Sequence, residues 1–547
     1  MEYGYDFVVV GSGPAGCALA YGLAHSSKKP TVVLLEAGGK NADSNLRVDG
    51  QRWLTFTHKD MNWGYKTTPQ VCCGNRELDY SRGLGLGGSS AINFGVFSIG
   101  ARDDYEEWAH VTGDDAFRWA PVQQRLKRLE TFHGALPAGI STKHASPKAS
   151  DHGSSGPLHV GYPAECEADV VPLLDAFEQA GYQMNPDHNL GNPIGMSLLI
   201  SSAHKGQRSM AQDLLGKKAV GVEASGKFYL ASKEVILTAS ALNTPRILMH
   251  SGIGPKEQLE QYNIPVVHHV PAIGQDLRDH AFCQLVHTRS DTRASRHGFY
   301  GDQTAMDAAL KEWKEHGTGS WTKFATTMGI GFFKLDGLPF WDEFKSLPEE
   351  EQRHLNSETV PHYEIFTHFP IHWFLPGFRN EGLNYSCLLV LLYNAQGRGT
   401  VTLQSSDPDV PLLFDPKFLE HPFDRWSAIE ALRQAMRFTR TEAYAKDTVS
   451  TLAAPKSDSD KDLLEYWAQT IGSSWHKTGT VEMGKPGGAD AVVDNDFRVM
   501  GIDGLRVADM SVVPVLPSCH VQAVACKYYR RYICTCAEKL VKEYDLE

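Results

Sequence analysis

Phe7-Val-Val-Val10 followed by Gly11-Ser-Gly13-Pro-Ala-Gly16 is the stretch on which the reading of this chain turns. A short apolar run enters the spacing G-x-G-x-x-G. Apolar residues recur at Cys17, Ala18, Leu19, Leu23 and Ala24, as a helix packed on a sheet requires. A second apolar run, Val32 to Leu35, ends at Glu36, twenty residues after Gly16. Strand, glycine turn, helix, strand and terminal acid in this order predict a Rossmann-like dinucleotide-binding unit. Gly11 permits the tight turn, Gly13 lets backbone approach a pyrophosphate, and Gly16 lets helix and strand pack closely. The free N–H groups of the helix start face the phosphates. Glu36 can accept hydrogen bonds from both ribose hydroxyls of an adenosine. Its charge opposes a 2′-phosphate, so NADP is not expected.

The rest of the chain sets the scale around this unit. Its 547 residues exceed what one core usually serves, so two or more domains are expected. Lys and Arg number 53 against 65 Asp and Glu, and the net charge of −12 argues against a nonspecific nucleic-acid binder. The first apolar run belongs to the fold, with no basic region and cleavable segment before it, so a cytoplasmic location is expected. No stretch has the length and apolarity of a membrane span. The ten cysteines are scattered, and Cys534-Thr-Cys536 lacks the C-x-x-C spacing. Free thiols and no metal are expected.

Ser81-Arg-Gly-Leu-Gly-Leu-Gly-Gly-Ser-Ser-Ala-Ile-Asn93 places glycine at 83, 85, 87 and 88. This strips side-chain bulk from one stretch, so its backbone can lie against a ligand or a neighbouring helix. Residues 101 to 134 and 168 to 181 read as helical, and 137 to 157 as an exposed loop. Val235 to Ser240 reads as a buried parallel strand, with a helix start near Asn243 and a short strand at Val267 to Val270. From about 284 to 460 the texture changes to strands at Gly329–Phe333, Thr359–Phe369 and Tyr385–Tyr393, with a helix over 422–440. This predicts an antiparallel sheet with helices on one face, inserted as a substrate-side module. The expected division is 1–283 and 461–547 for the nucleotide domain and 284–460 for the substrate domain.

On these residues the chain resembles the glucose–methanol–choline (GMC) family of FAD-dependent alcohol-oxidising enzymes. Gly11 to Gly16 and Leu35-Glu-Ala-Gly-Gly39 match its ADP-binding region, and Arg82 to Asn93 its first signature. Ser240 to Pro255 resembles the second, with Thr244-Pro245 where Ser-Pro is commoner. Ile273 to His280, His476-Lys-Thr-Gly-Thr480, Val492 to Asp494 and Gly504 to Asp509 match further family segments. The resemblance implies an α/β, Rossmann-like FAD domain with an antiparallel-sheet substrate domain. It implies FAD lying extended, adenosine near Glu36 and isoalloxazine near 88 to 94, with Gly88, Ser89 and Asn93 beside it and Asp509 facing the flavin region. Some members attach flavin through a histidine before the family asparagine. Ile92 stands there, so the flavin is expected to be noncovalent.

The resemblance also implies a substrate-facing pair, His476 and His520. Chemistry supports it independently: removing hydride from an alcohol carbon requires the hydroxyl proton to leave, and a neutral imidazole is the best-matched base near pH 7. His476 is expected as base and His520 as orienting partner and proton carrier, while His280 and His368 are alternatives that read more naturally as structural. The expected reaction is oxidation of a primary alcohol, an aryl alcohol among the candidates, to an aldehyde. Hydride goes to flavin N5, and oxygen or another acceptor reoxidises it. Trp321, Phe366, Phe369, Trp373 and Phe374 are candidate pocket aromatics. A hydroxynitrile-type lyase and a degenerate flavoprotein are the competing readings. Two departures from the family stand out. The strand pair usual between Leu215 and Gly216, whose valine backbone commonly meets the adenine, is missing. Cys526 to Cys536 interrupts the last apolar helix with Lys527, Arg530 and Arg531.

Overall fold

The computed structural model describes residues 2–211, 221–222, 228–290, 296–300, 302–323, 328–369, 384–485, 487–488, 490–526 and 535–546. The opening stretch is the central strand of a parallel sheet. The strand order is Leu505–Val507, Phe228–Leu237, Glu2–Val10, Val32–Leu35, Gly221–Val222. Val9 lies between Leu34 on one side and Ile236 on the other. Phe7 and Val9 are fully buried, as a strand covered on both faces requires. The helix Pro14–Ala24 follows, with Gly13 as its N-cap and Pro14 at its first position, where a missing N–H costs no intrahelical bond. A Cβ on Gly16 would sit 1.8 Å from the Gly11 carbonyl oxygen, so only glycine lets the helix lie this close.

The second layer is an antiparallel sheet. Its path runs Thr448–Ala453, Ala281–Arg289, Asn384–Leu392, Tyr363–Phe366, Gly329–Phe333, Gly195–Leu198, with Gly472–Ser473 also paired to Ala281–Phe282. The helices Pro422–Thr439 and Asp460–Thr470 cover one face. Every residue of Asn384–Leu392 is buried, and the alternation sorts them. Leu388, Val390 and Leu392 enter the main core under the helices. Leu389 and Leu391 join Phe282, Phe366 and Phe369 in a separate apolar cluster on the opposite face. That second face looks into the cleft described below.

Local differences from the sequence reading have physical causes. The helical stretch after 101 is two helices, Arg102–Thr112 and Trp119–Leu129, because Gly113 adopts φ +70° and ends the first. The helix expected near Asn243 begins at Ser240, whose N–H is accepted by Asp509 Oδ2 at 2.9 Å. Pro245 lies inside it and leaves the Ala241 carbonyl without its usual donor. Thr480 Oγ1 donates to that carbonyl at 2.7 Å, so a motif 239 residues away repairs the helix. The Val267–Val270 strand reduces to His268–His269, paired with Ile253–Gly254. Trp321 is not a pocket residue: it packs with Val48 and Phe299 in a cluster of its own. Trp373 and Phe374 lie outside the described residues.

Of the first departure from the family, Gly221–Val222 forms a short edge strand beside Leu34–Leu35. Residues 212–220 and 223–227, and 527–534 of the second departure, lie outside the described residues. Among the described residues no helix is long and apolar enough to cross a membrane, and no group of His, Cys, Asp or Glu could hold a metal.

Candidate active site

A single cleft of about 540 Å³ runs from the glycine turn to the histidine pair. Gly11, Gly13, Glu36, Arg82, Gly88 and Ser89 line it, and so do Asn93, Asp509, His476 and His520. Gly16 does not; it holds the helix against the turn from behind. At the first end, polar contact comes from backbone. A Cβ on Gly13 would meet nothing within 4 Å, whereas one on Gly88 would sit 2.7 Å from the Gly13 Cα. The turn and the 83–93 segment therefore touch through bare backbone and leave open space over Gly13. Glu36 ties these pieces together. Its Oε2 accepts from Ser12 N at 2.8 Å and Ser12 Oγ at 2.6 Å. Its Oε1 accepts from Gly38 N at 2.9 Å and Gly85 N at 3.0 Å. Ser89 Oγ accepts from Gly83 N at 3.1 Å and fixes the loop's return.

Asp509 joins the C-terminal segment to the helix Ser240–His250. Its Oδ2 takes the Ser240 N–H and the Thr244 hydroxyl, the latter at 2.6 Å, and its Oδ1 the Ser511 N–H at 2.7 Å. Burial pushes this carboxyl up, against the pull of those donors. Asn93 is clamped from two sides: Arg52 Nη1 donates to its Oδ1 at 2.9 Å, and its Nδ2 donates to Gln522 Oε1 at 2.7 Å. Arg208 Nη2 donates to its carbonyl at 2.9 Å. Two buried arginines thus stand behind Asn93, with Asp49 paired to Arg52.

His476 is positioned by its neighbours in sequence and by residues far away. Arg82 brackets it, donating to the carbonyls of Trp475 at 2.8 Å and Lys477 at 3.3 Å. Asp279 Oδ1 accepts from His476 N at 2.6 Å. The ring Nδ1 lies 2.9 Å from His280 Nδ1. For Nε2 to present a lone pair to the cleft, the proton must sit on Nδ1 and be donated to His280, which fixes both tautomers. Burial holds the imidazoles of His476 and His280 well below the ordinary value, reinforced for both by His520 and for His476 by the cations Arg82 and Lys477. Both are neutral at pH 7. Lys477 is itself buried, its Nζ 3.9 Å from the Tyr80 ring centroid.

The His520 ring lies 4.9 Å from that of His476, at 83°. It stands in a different field. Its Nε2 faces Glu364 Oε1 at 3.1 Å, and Glu364 is 0% exposed. The sheet brings this carboxylate here: Glu364 shares the cleft-side parity of Phe366, opposite Tyr363 and Ile365, which enter the main core. Sequence reading passed over Glu364; His280, an alternative to the pair that reads more naturally as structural, touches His476. An acid inside the otherwise apolar and aromatic run Tyr363–Phe366 was the available signal. His368, by contrast, lies 3.5 Å from Asp169. Around the pair the wall is aromatic: Phe94 approaches Trp475 at 5.7 Å and Phe369 at 6.0 Å, and Phe366 lies 6.0 Å from His520. Trp475 holds φ +59°, a strained setting for a bulky residue, directly before His476.

The residues present fit an extended flavin dinucleotide. The glycine turn supplies open backbone at one end. Ser240, His250, Ser474 and Gln522 are among the residues that line the cleft, and Ser240 Oγ, His250 Nε2, Ser474 Oγ and Gln522 Nε2 are buried polar atoms with no hydrogen-bond partner among the described residues. Fold and cleft together define an FAD-dependent oxidoreductase for an alcohol-type substrate. The chain belongs to the GMC oxidoreductase family, matching it over residues 5–216 and 210–282 and again over 395–527. The first two stretches overlap at residues 210–216, the place of the first departure read from the sequence. Among its relatives are dehydrogenase pkfF of Emericella nidulans, 29% identical over 95% of this chain and 91% of that protein. Patulin synthase of Aspergillus clavatus is 28% identical over 95% and 89%. The fold superposes on formate oxidase of Aspergillus oryzae with a TM-score of 0.86 at 23% identity, over 100% and 99% of the two chains.

Proposed function

We propose that this protein oxidises a primary alcohol to an aldehyde at the His476–His520 pair, with a noncovalently held FAD. Bound FAD would accept the substrate's hydride. The cofactor-binding residues would be Gly11, Gly13, Gly16 and Glu36 at the adenosine and pyrophosphate end, and Arg82, Gly88, Ser89, Asn93 and Asp509 along the flavin. Ile92, buried beside Asn93, offers no nucleophile for attachment.

The observation that carries this reading is the difference between the two imidazoles. His476 is neutral, with Nδ1 committed to His280, so Nε2 is available to take the hydroxyl proton. His520 directs its Nε2–H at Glu364, so its other ring nitrogen can take the proton on from His476, and the imidazolium so formed can then hold the substrate oxygen by a hydrogen bond. Phe94, Phe366, Phe369 and Trp475 exclude water and favour an apolar or aryl alcohol. The acceptor that completes the cycle is oxygen or another oxidant, and oxygen requires no further partner. The test is to purify the protein, measure bound FAD, add alcohols anaerobically and follow flavin bleaching, then admit oxygen. Aryl and aliphatic primary alcohols should bleach the flavin. Absence of bound flavin, or a flavin that no alcohol reduces, would sink the reading.

A further inference from the structure

Beneath the histidine pair the buried side chains close into a circuit. His476 meets His280 through their Nδ1 atoms. The His280 ring stands edge-to-face on Tyr393, centroids 4.4 Å apart at 83°. The Tyr393 hydroxyl donates to Glu364 Oε2. Glu364 faces His520, whose ring returns to His476. Tyr393 is 2% exposed and follows the strand Asn384–Leu392, on the cleft-side parity of Leu389 and Leu391.

We propose that Tyr393 is the positioning residue that joins the two halves of the proton site: its hydroxyl holds Glu364 as acceptor for His520, and its ring holds His280 against His476. This rests on the pair being the alcohol-activating site. A carboxylate with no access to water needs donors, and Tyr393 and His520 are the two that the described residues supply. The phenol is a dependable donor, since burial, and next the Glu364 charge, push its own ionisation well above the ordinary range. The other ionisable groups nearby do not substitute for it. His188, brought down to about 4 by burial, stays neutral beside Glu364. Asp104, near Tyr393, is committed to Ser518 N at 2.7 Å and His354 Nε2 at 2.9 Å. Cys519 near Tyr393 is buried.

The sign follows from the donor's role. A hydrogen bond to the charged form favours that form. Without the phenol hydroxyl the Glu364 charge is less stabilised, so the Glu364–His520 unit retains a proton to higher pH. The experiment uses the flavin-loaded protein with 13Cε1-labelled histidine. Its NMR titration is compared with the pH profile of anaerobic flavin reduction in the unsubstituted protein, Tyr393→Phe, Glu364→Gln and the double variant. In Tyr393→Phe the His520 midpoint and the acid limb of kcat/KM should both rise by about one pH unit. In the Glu364→Gln background the same change should add nothing. An unmoved midpoint, or an equal shift with and without Glu364, overturns the proposal. Should no alcohol reduce the flavin, the functional reading fails by itself, while the NMR midpoints still decide for or against Tyr393.

Discussion

The two ends of the cleft are made of different material. At the glycine turn the chain removes side chains, so that main-chain N–H groups and open space face the ligand. Gly11, Gly13 and Gly16 fall within six residues, and with Glu36 the unit is complete in thirty-six. At the histidine end the chain does the reverse and collects side chains from distant segments: His280, Glu364, His476 and His520. A site built by omission is local, because the turn dictates where glycine must stand. A site built by assembly depends on a sheet that brings strand faces together.

The assembled end should fail in rate, and the omitted end in folding where backbone packs on backbone or in cofactor binding where space is left open. The largest effect belongs to His476→Ala. Loss of a positioned base should slow anaerobic flavin reduction about 10³-fold, with FAD still bound. Release of the flavin would show that His476 serves the cofactor instead. Gly16→Ala comes next. Its Cβ would lie 1.8 Å from Gly11 O and 2.6 Å from Thr238 Oγ1, and the backbone oxygen cannot give way. The cost should be about 3 kcal/mol or more in denaturant unfolding, with little flavin retained. A Gly16→Ala protein of unchanged stability would contradict the packing role.

How much was legible beforehand follows the same division. The nucleotide unit could be read from the sequence because each glycine and Glu36 answer to a local requirement. The His476–His520 pair was reached through resemblance, since nothing in the spacing of residues 44 apart brings them to 4.9 Å. Glu364 and Tyr393 carried no motif. Only the strand register shows that 364 and 366 share a face, and only the pairing of Tyr363 with Leu392 shows where Tyr393 follows. Thr480 likewise reads as part of a motif, yet one of its tasks is to satisfy a carbonyl that Pro245 leaves open.

Gly13→Ala sharpens the comparison within the turn itself. Its φ is −69°, ordinary for alanine, and nothing lies within 4 Å of the added Cβ. Stability of the cofactor-free protein should change by less than about 0.5 kcal/mol. FAD affinity, measured by flavin fluorescence on titration, should fall about tenfold or more, because the methyl group occupies space meant for the pyrophosphate. An unchanged affinity would mean that the cofactor does not pass over Gly13.

The smallest effect, and a control on the histidine end, concerns what burial alone does to an imidazole. His152 is buried outside the cleft. Desolvation opposes its charge, but hydrogen bonds to Asp187 at 2.9 Å and Glu130 at 3.1 Å prevail and raise it to about 9. His362, buried without an acid, falls to about 4. The two act on stability with opposite sign. The native state holds the His152 proton after the unfolded chain has released it near 6.5, so that stabilisation is complete below 6.5 and is lost as pH rises toward 9. His362 stays neutral while the unfolded chain takes up a proton, so stability falls as pH drops from 6.5 toward about 4. Each group contributes a slope of at most about 1.4 kcal/mol per pH unit. His152→Gln should flatten the alkaline side of a plot of thermal midpoint against pH and leave the acid side in place. If it also moves the acid limb of flavin reduction, the paired acids around His152 are coupled to the cleft, and the separation of the histidine end from the rest of the protein is wrong.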